Sequence, residues 1–261
     1  MNRSSCTQAL VLNLKPLGEN NSSVTLLTPE HGILYATLYG GPKSKMRSLV
    51  AQWNSGNIWL YDNQEKNQIK ISDFEVKNYH TSFGQNLFKM YAASLAAEIA
   101  IKTRCAGSNE QCFKLVNGFL DGMELCDEDQ SRLGLLRFLW RYLELLGIQP
   151  ESHTCSGCGK SFLESEFAPN DISYYNSIDN SFICSECSEG FSHPEGSSLL
   201  MNLQTSAVQY LTAVSVLKPS EVRKLQVNKD GYNQMKQIIF FLIQNGIDQK
   251  LNSIETGMGI L

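Results

Sequence analysis

The first 80 residues alternate between hydrophobic and polar positions in several short runs. One run places leucine at every second position, and a second run does the same with Ile33, Tyr35, Thr37 and Tyr39. Gly, Asn and Pro separate the runs, and a period of two broken in this way is typical of an antiparallel sheet or a small barrel. We predict about five strands, which fits an OB-like barrel, although an SH3-like barrel fits the pattern nearly as well.

The hydrophobic period changes to that of a helix near residue 83. Apolar residues then recur at every fourth position, with alanines between them, at Leu87, Tyr91, Leu95 and Ile99. This spacing places them on one face of an amphipathic helix. A second helix is expected after Ser108, a suitable N-cap residue with Gln111 three positions later. Further helices are predicted over residues 131–146, 204–217 and 232–244, each ended by Gly or Pro.

Residues 151–198 lose the helical period and carry two pairs of cysteines. The pairs are Cys155-Ser156-Gly157-Cys158 and Cys184-Ser185-Glu186-Cys187, with 25 residues between them. Two residues between cysteines let both sulfurs point at one ion, and Gly157 permits the tight turn that this requires. Four thiolates fill a tetrahedron and leave no open position for catalysis. We therefore predict one structural Zn²⁺ bound by the four cysteines, in preference to two disulfides or a redox pair.

The fold class predicted from these patterns is α+β. An N-terminal OB-fold β-barrel is followed by an all-helical domain that carries an inserted zinc module with four cysteine ligands. We place the barrel at residues 1–80, the helical domain at residues 81–150 and 199–261, and the zinc module at residues 151–198.

Composition and charge limit the classes of function. Of the 261 residues 42% are hydrophobic and 18% charged, enough apolar content to form a core. The formal net charge is −4, but residues 151–198 alone carry −7. The rest of the chain is close to neutral, so binding to nucleic acid stays open. The sequence shows no signal peptide and no apolar run near the ~20 residues of a membrane span, so we expect a cytoplasmic protein.

Two groups of cations are candidates for contact with DNA. The first group follows a predicted strand directly and consists of Lys43, Lys45 and Arg47. Alternate cations on a strand or loop would face one side and could track a phosphate backbone, although an ordinary solvated loop explains them equally well. The second group is Arg137 and Arg141, four apart on one helix face. Here we favour the polar face of a buried helix, with an Arg141–Glu144 pair, over DNA contact.

Four aromatic residues lie close to the first group in sequence: Tyr35, Tyr39, Trp53 and Trp59. In an OB-like barrel some aromatic side chains stack on bases, but more of them fill the core. We therefore expect these residues to be mainly core residues.

Sequence signatures of catalysis are absent. The segment from Gly40 to Ser44 is similar to the end of a phosphate loop, but Pro42 stands where glycine must precede the lysine. The chain contains no HExxH, GxSxG or GxGxxG motif. We expect a protein that is not an enzyme and has no small-molecule substrate.

Several short segments together resemble the RecO family of bacterial recombination mediators. The segments are residues 9–12, Gly18-Glu19-Asn20, Leu26-Leu27-Thr28, residues 40–44, residues 145–150 and Leu251-Asn252-Ser253. Their order and spacing around the four-cysteine insertion carry the resemblance. It implies an OB-fold, a helical domain and a zinc module.

The resemblance also implies a function in the RecF pathway of DNA repair. The expected activities are binding of single- and double-stranded DNA, annealing of complementary strands, and help in loading the recombinase onto single-strand gaps. The expected partners are RecR and single-strand-binding protein, and the expected location is the nucleoid. The alternative hypothesis is a zinc-stabilised protein-interaction adaptor with no direct DNA binding.

Overall fold

The structure, a computed structural model, describes residues 4–41, 44–63, 65, 67–163, 167–189 and 200–261. Contacts between Cα atoms divide the chain into two compact units. Unit 1 contains residues 1–135 and 249–261, and unit 2 contains residues 136–248. The division into a barrel, a helical domain and an inserted module at residues 80, 150 and 198 stays a prediction.

Unit 1 begins with a five-stranded barrel. Its strands are β1 (Ser4–Leu17), β2 (Asn21–Thr28), β3 (Gly32–Tyr39), β4 (Ser55–Asn63) and β5 (Gln68–Asn78). The order β1-β2-β3-β5-β4 closes because the long β1 pairs with both β2 and β4. All pairs are antiparallel except β3 with β5, which meet in parallel at Thr37 and Lys70. This closed, partly parallel barrel is OB-like, as predicted.

The barrel core consists of the inward-facing residues of the alternating strands. On β3, for example, Ala36 and Leu38 are buried in the core. A short helix after β3, α1 (Lys45–Leu49), adds Met46 and Leu49 to the same cluster. Gly56 marks a close approach of β4 to β5, because a Cβ there would lie 2.0 Å from the Glu75 carbonyl oxygen.

Two helices follow the barrel within unit 1, α2 (Leu87–Lys102) and α3 (Asn109–Leu125). The predicted N-cap is confirmed, since the Ser108 side chain accepts a hydrogen bond from the Gln111 amide. Helix α2 is apolar on most of its surface, and its alanines let it pack closely inside unit 1. Helix α3 packs against β2 and β3. Helix α4 (Glu128–Leu145) contains the boundary between the units.

Unit 2 combines helices with a three-stranded sheet. The helices are α5 (Ser185–Ser188), α6 (Thr205–Val216), α7 (Pro219–Val222) and α8 (Lys229–Gly246). The sheet has the order β7-β6-β8, with β6 (Ile172–Asn176), β7 (Ser181–Cys184) and β8 (Leu200–Gln204). It extends past residue 198, the predicted end of the module, because β8 pairs with β6. Trp140 is fully buried in this unit and donates to Ser215 Oγ.

The last residues of the chain return to unit 1. A final short helix, α9, spans Asn252–Thr256. Glu98 of α2 accepts hydrogen bonds from the backbone amides of Asn252 at 2.9 Å and Ser253 at 2.7 Å. Burial opposes ionisation of Glu98, but its bonds to Lys102 and to these residues outweigh that effect and lower its pKa.

No helix among the described residues is both long and apolar enough to cross a lipid bilayer.

Candidate metal centre and nucleic-acid surface

The structure brings the four paired cysteines of unit 2 to one point. Each Sγ atom lies within 4.8 Å of the other three, and those of Cys158 and Cys184 are 3.9 Å apart. Zinc–sulfur bonds of ~2.3 Å in a tetrahedron imply sulfur–sulfur distances of ~3.8 Å. The spacing therefore fits one tetrahedral ion. Among the residues that the structure describes, these four cysteines form the one group of His, Cys, Asp or Glu side chains that could hold a metal ion.

The first cysteine pair lies on a hydrogen-bonded loop. Cys155 donates its amide to the Lys160 carbonyl at 2.9 Å, and Gly159 donates to the Cys155 carbonyl at 2.8 Å. The left-handed conformation in this loop belongs to Gly159, with φ +75°. The second pair joins two elements, because Cys184 ends β7 and Cys187 lies in the single turn of α5.

Gly157 lies in a turn, as predicted, and has a second role that the sequence did not indicate. A Cβ at this position would lie 2.7 Å from the Cys187 Cβ and 2.8 Å from its Sγ. Contacts of that length do not occur between real side chains, so glycine is required because Cys187 passes directly beside the backbone. The tight turn predicted at Gly157 is present at residues 156–158, and Gly159, with its left-handed backbone, follows it.

Hydrogen bonds to sulfur favour the thiolate form at one position. The Cys184 amide donates to Cys155 Sγ at 3.3 Å. Burial opposes ionisation of Cys155, but amide donors from Cys184, Cys158 and Gly157 outweigh burial and lower its pKa to about 7. Burial and the neighbouring sulfurs raise the pKa of Cys184 and Cys187. A dication at the centre would stabilise all four thiolates at once, since metal binding releases the protons of its ligands.

Two histidines, His153 and His193, flank the cysteine pairs in the sequence, and we expected them to be exposed to solvent rather than to bind the metal. His153 is half-buried and lies outside the group of ligand atoms. His193 lies outside the described residues.

The predicted cations of the barrel lie on a helix. Lys43 lies outside the described residues, and Lys45 and Arg47 belong to α1. The predicted strand or loop is wrong here, because Met46 and Leu49 are spaced to turn one helical face into the core. Residues two apart on a helix point about 200° from each other. Lys45 and Arg47 therefore do not share a face, with Lys45 exposed and Arg47 half-buried.

The aromatic residues near these cations are mainly exposed, which contradicts the expectation that they fill the core. Tyr35 is 61% exposed and Tyr39 44%, and Trp59 also faces solvent. Trp53 is half-buried against Phe83. The strand alternation explains the outcome, because a two-residue period that buries Ala36 and Leu38 turns the tyrosines outward.

Sequence reasoning did not single out two polar residues beside these tyrosines. Tyr39 donates its hydroxyl to Gln68 Oε1 at 2.9 Å, and Lys70 Nζ lies 5.0 Å from the centre of the Tyr39 ring. Both residues face outward on β5 where it pairs with β3. The available signal was the period of β5 itself, in which Ile69 and Ile71 turn inward and their neighbours outward.

Arg137 and Arg141 are half-buried on α4 and bind to α6. Arg137 donates to the Tyr210 hydroxyl at 3.0 Å, and Arg141 donates twice to the Val214 carbonyl at 3.2 and 3.3 Å. Burial, together with the positive charge of Arg137, lowers the pKa of Arg141. Contact of these two residues with DNA stays a prediction, and part of their donor capacity is used within unit 2.

His80, to which the sequence assigned no role, is buried in unit 1. Its ring nitrogens contact the Trp53 carbonyl oxygen at 2.6 Å and Asp121 Oδ1 at 2.9 Å. His80 thereby joins the end of the barrel to α3.

Comparison with known proteins agrees with this architecture. The family model described as Recombination protein O N terminal matches residues 1–80, and the model described as Recombination protein O C terminal matches residues 84–255. Proteins named DNA repair protein RecO are among the similar sequences. That of Caldanaerobacter subterraneus is 25% identical over 186 residues, covering 70% of this chain and 71% of the relative.

Two further relatives bear the same name. That of Synechococcus elongatus is 28% identical over 162 residues, which is 59% of each chain. That of Moorella thermoacetica is 24% identical over 248 residues, covering 94% of this chain and 87% of the relative. Since the two family models follow one another in order and together cover nearly the whole sequence, the chain belongs to the RecO family.

Proposed function

We propose that the chain is a mediator of DNA repair and homologous recombination in the RecF pathway. It binds single- and double-stranded DNA, anneals complementary strands and helps to load the recombinase onto gaps coated by single-strand-binding protein. RecR and single-strand-binding protein are its partners, it catalyses no bond-making step, and it works in the cytoplasm at the nucleoid. The observation that carries this proposal is the match of both family models along the chain.

The barrel is the proposed DNA-binding part of the molecule. OB-like barrels bind oligonucleotides by combining cations with exposed aromatic rings. Tyr35, Tyr39 and Lys70 supply that combination on the outward face of β3 and β5. The earlier candidates Lys43, Lys45 and Arg47 would add phosphate contacts beside the barrel, and Arg137 and Arg141 are the next candidates in unit 2.

The proposed metal is one structural Zn²⁺ per chain. Four thiolates form a soft ligand set that suits zinc, and a closed tetrahedral shell gives the ion no catalytic role. Cys155, Cys158, Cys184 and Cys187 would hold the ion. The bound ion would join the loop that carries the first cysteine pair to β7 and α5, which carry the second pair.

Two assays test the proposed function. Filter binding of labelled single-stranded DNA at low salt should show retention, and complementary strands should anneal equally fast with and without ATP, since the sequence has no phosphate loop. Absence of DNA retention by the folded chain would instead support the adaptor, in which the acidic zinc module docks a protein. Annealing that stops without ATP would contradict the proposed mechanism.

A further inference from the structure

The outer surface of the barrel carries a groove where β3 and β5 meet. Its lining includes Tyr35 and Thr37 of β3, Asp62 of β4, and Asn67, Gln68 and Ile69 at the start of β5. Its volume is about 330 Å³. This lies at the lower end of the range of ~300–1,000 Å³ for small-ligand sites. The groove has room for one planar ring system and its sugar.

Tyr35 offers an aromatic surface at this groove. It is 61% exposed, the largest fraction of any aromatic side chain in the described part of the chain. A tyrosine ring has two rotatable side-chain torsions, so little freedom is lost when a flat partner stacks on it. Every nucleobase has a π-face, and stacking on aromatic rings is how proteins hold single strands without reading their sequence.

The side chains around Tyr35 are fixed by hydrogen bonds. Gln68 donates through Nε2 to Thr37 Oγ1 at 2.9 Å and accepts the Tyr39 hydroxyl at Oε1, also at 2.9 Å. The amide retains one N–H donor and one lone pair for a ligand. The Tyr39 ring in turn holds the Lys70 ammonium group by a cation–π contact. Because the Tyr39 ring is uncharged, it positions the Lys70 ammonium group beside the groove and leaves its positive charge intact.

We propose that this groove binds one unpaired nucleobase, stacked on Tyr35, with an adjoining backbone phosphate at Lys70. The inference rests on the proposed DNA-binding function and assigns this face to single strands. Bases in a duplex are covered on both faces by their neighbours, so Tyr35 cannot stack on them.

Binding of two labelled oligomers of equal length to the full chain tests this proposal. One is oligodeoxythymidine, and the other is an abasic deoxyribose phosphate oligomer with the same charge and no bases. Tyr35→Ala should weaken binding of oligodeoxythymidine about tenfold, and Tyr35→Phe should bind as tightly as the wild type. Neither change should alter binding of the abasic oligomer. Lys70→Ala should weaken both oligomers and flatten the dependence of log K on log salt by ~0.7.

Tyr79→Ala is the matched control, since Tyr79 is also exposed but lies after β5 and outside the groove lining. Tyr35→Thr is a second variant that retains a strand-forming residue, in case alanine unfolds the barrel. Unchanged binding of oligodeoxythymidine by the folded Tyr35→Ala or Tyr35→Thr variant, each of which lacks the aromatic ring, would overturn the proposal. An equal loss for the abasic oligomer would do the same. If the wild type binds neither oligomer at low salt, the proposed DNA-binding function itself fails.

Discussion

Replacing Gly157 by alanine should remove one ligand from the metal centre. The new Cβ would lie 2.7 Å from the Cys187 Cβ and 2.8 Å from its Sγ. Carbon atoms pack comfortably at about 3.5–4.0 Å, so the two chain segments must separate by about 1 Å. Metal–ligand distances tolerate only about ±0.2 Å. The required movement is several times larger, and Cys187 cannot stay bound.

The expected loss of zinc affinity is at least ~100-fold. Mutations that leave all ligands in place but remove their hydrogen-bond partners typically lower metal affinity ~10–100-fold. The loss of a ligand should lower the affinity further. Competition with a chromophoric chelator measures the affinity of the purified chain. The absorption spectrum of the cobalt-substituted protein reports how many thiolates remain bound. That number should fall from four to three.

Gly159→Ala is the control in the same loop. An added Cβ there has no atom within 4 Å, but φ is +75°. The substitution therefore adds a backbone strain of about 1–2 kcal/mol and leaves the ligand geometry intact. Its cobalt spectrum should stay that of four thiolates. A Gly157→Ala protein that keeps the wild-type affinity and all four thiolates would refute the role given to the contact with Cys187.

Three other predictions concern the metal, the cations and the C-terminal segment. Changing Cys184 and Cys187 together to serine should abolish stoichiometric zinc. Full zinc retention by this double variant would contradict the four-thiolate centre. Removing the metal from the wild type with a chelator should raise hydrogen exchange in residues 151–198 earlier than in the barrel. Changing Lys43, Lys45 and Arg47 together to alanine should flatten the dependence of log K on log salt for single-stranded DNA by no more than about 1.4, because α1 turns Lys45 and Arg47 apart. An unchanged slope would mean that DNA binds elsewhere on the chain. Glu98→Ala should lower the free energy of unfolding by about 1–3 kcal/mol near neutral pH. Because the pKa of Glu98 is lowered in the folded chain, this difference should shrink as acid protonates it, and a pH-independent difference in urea titrations would contradict the assignment.

Features set by local periodicity or spacing could be predicted from the sequence. The five strands follow from the alternation of apolar residues, and the N-cap at Ser108 follows from residues within one turn. The convergence of the cysteine pairs was predictable because metal ligation explains the doubled spacing without knowledge of the surrounding fold. For the strands and the N-cap, the physical cause lies within a few residues of the signal.

Features set by contacts between distant segments could not be predicted in the same way. The need for glycine at Gly157 depends on Cys187, 30 positions away, which no local rule identifies. The helix that holds Lys45 and Arg47 forms because Met46 and Leu49 complete the end of a barrel core built by other strands. The groove at Tyr35 depends on the pairing of β3 with β5. A parallel pairing between strands so far apart in the chain cannot be recognised from the sequence of either strand alone.

The two-part composition of unit 1 has a consequence for the order of synthesis. Residues 249–261 complete this unit through contacts such as those of Glu98 with Asn252 and Ser253, yet all of unit 2 is translated before them. At about 5–20 residues per second, the ribosome needs roughly 6–23 s to make residues 136–248. During that time the N-terminal barrel can form, while the amide partners of the Glu98 carboxylate do not yet exist. The nascent chain therefore holds an unfinished first unit until the second has emerged.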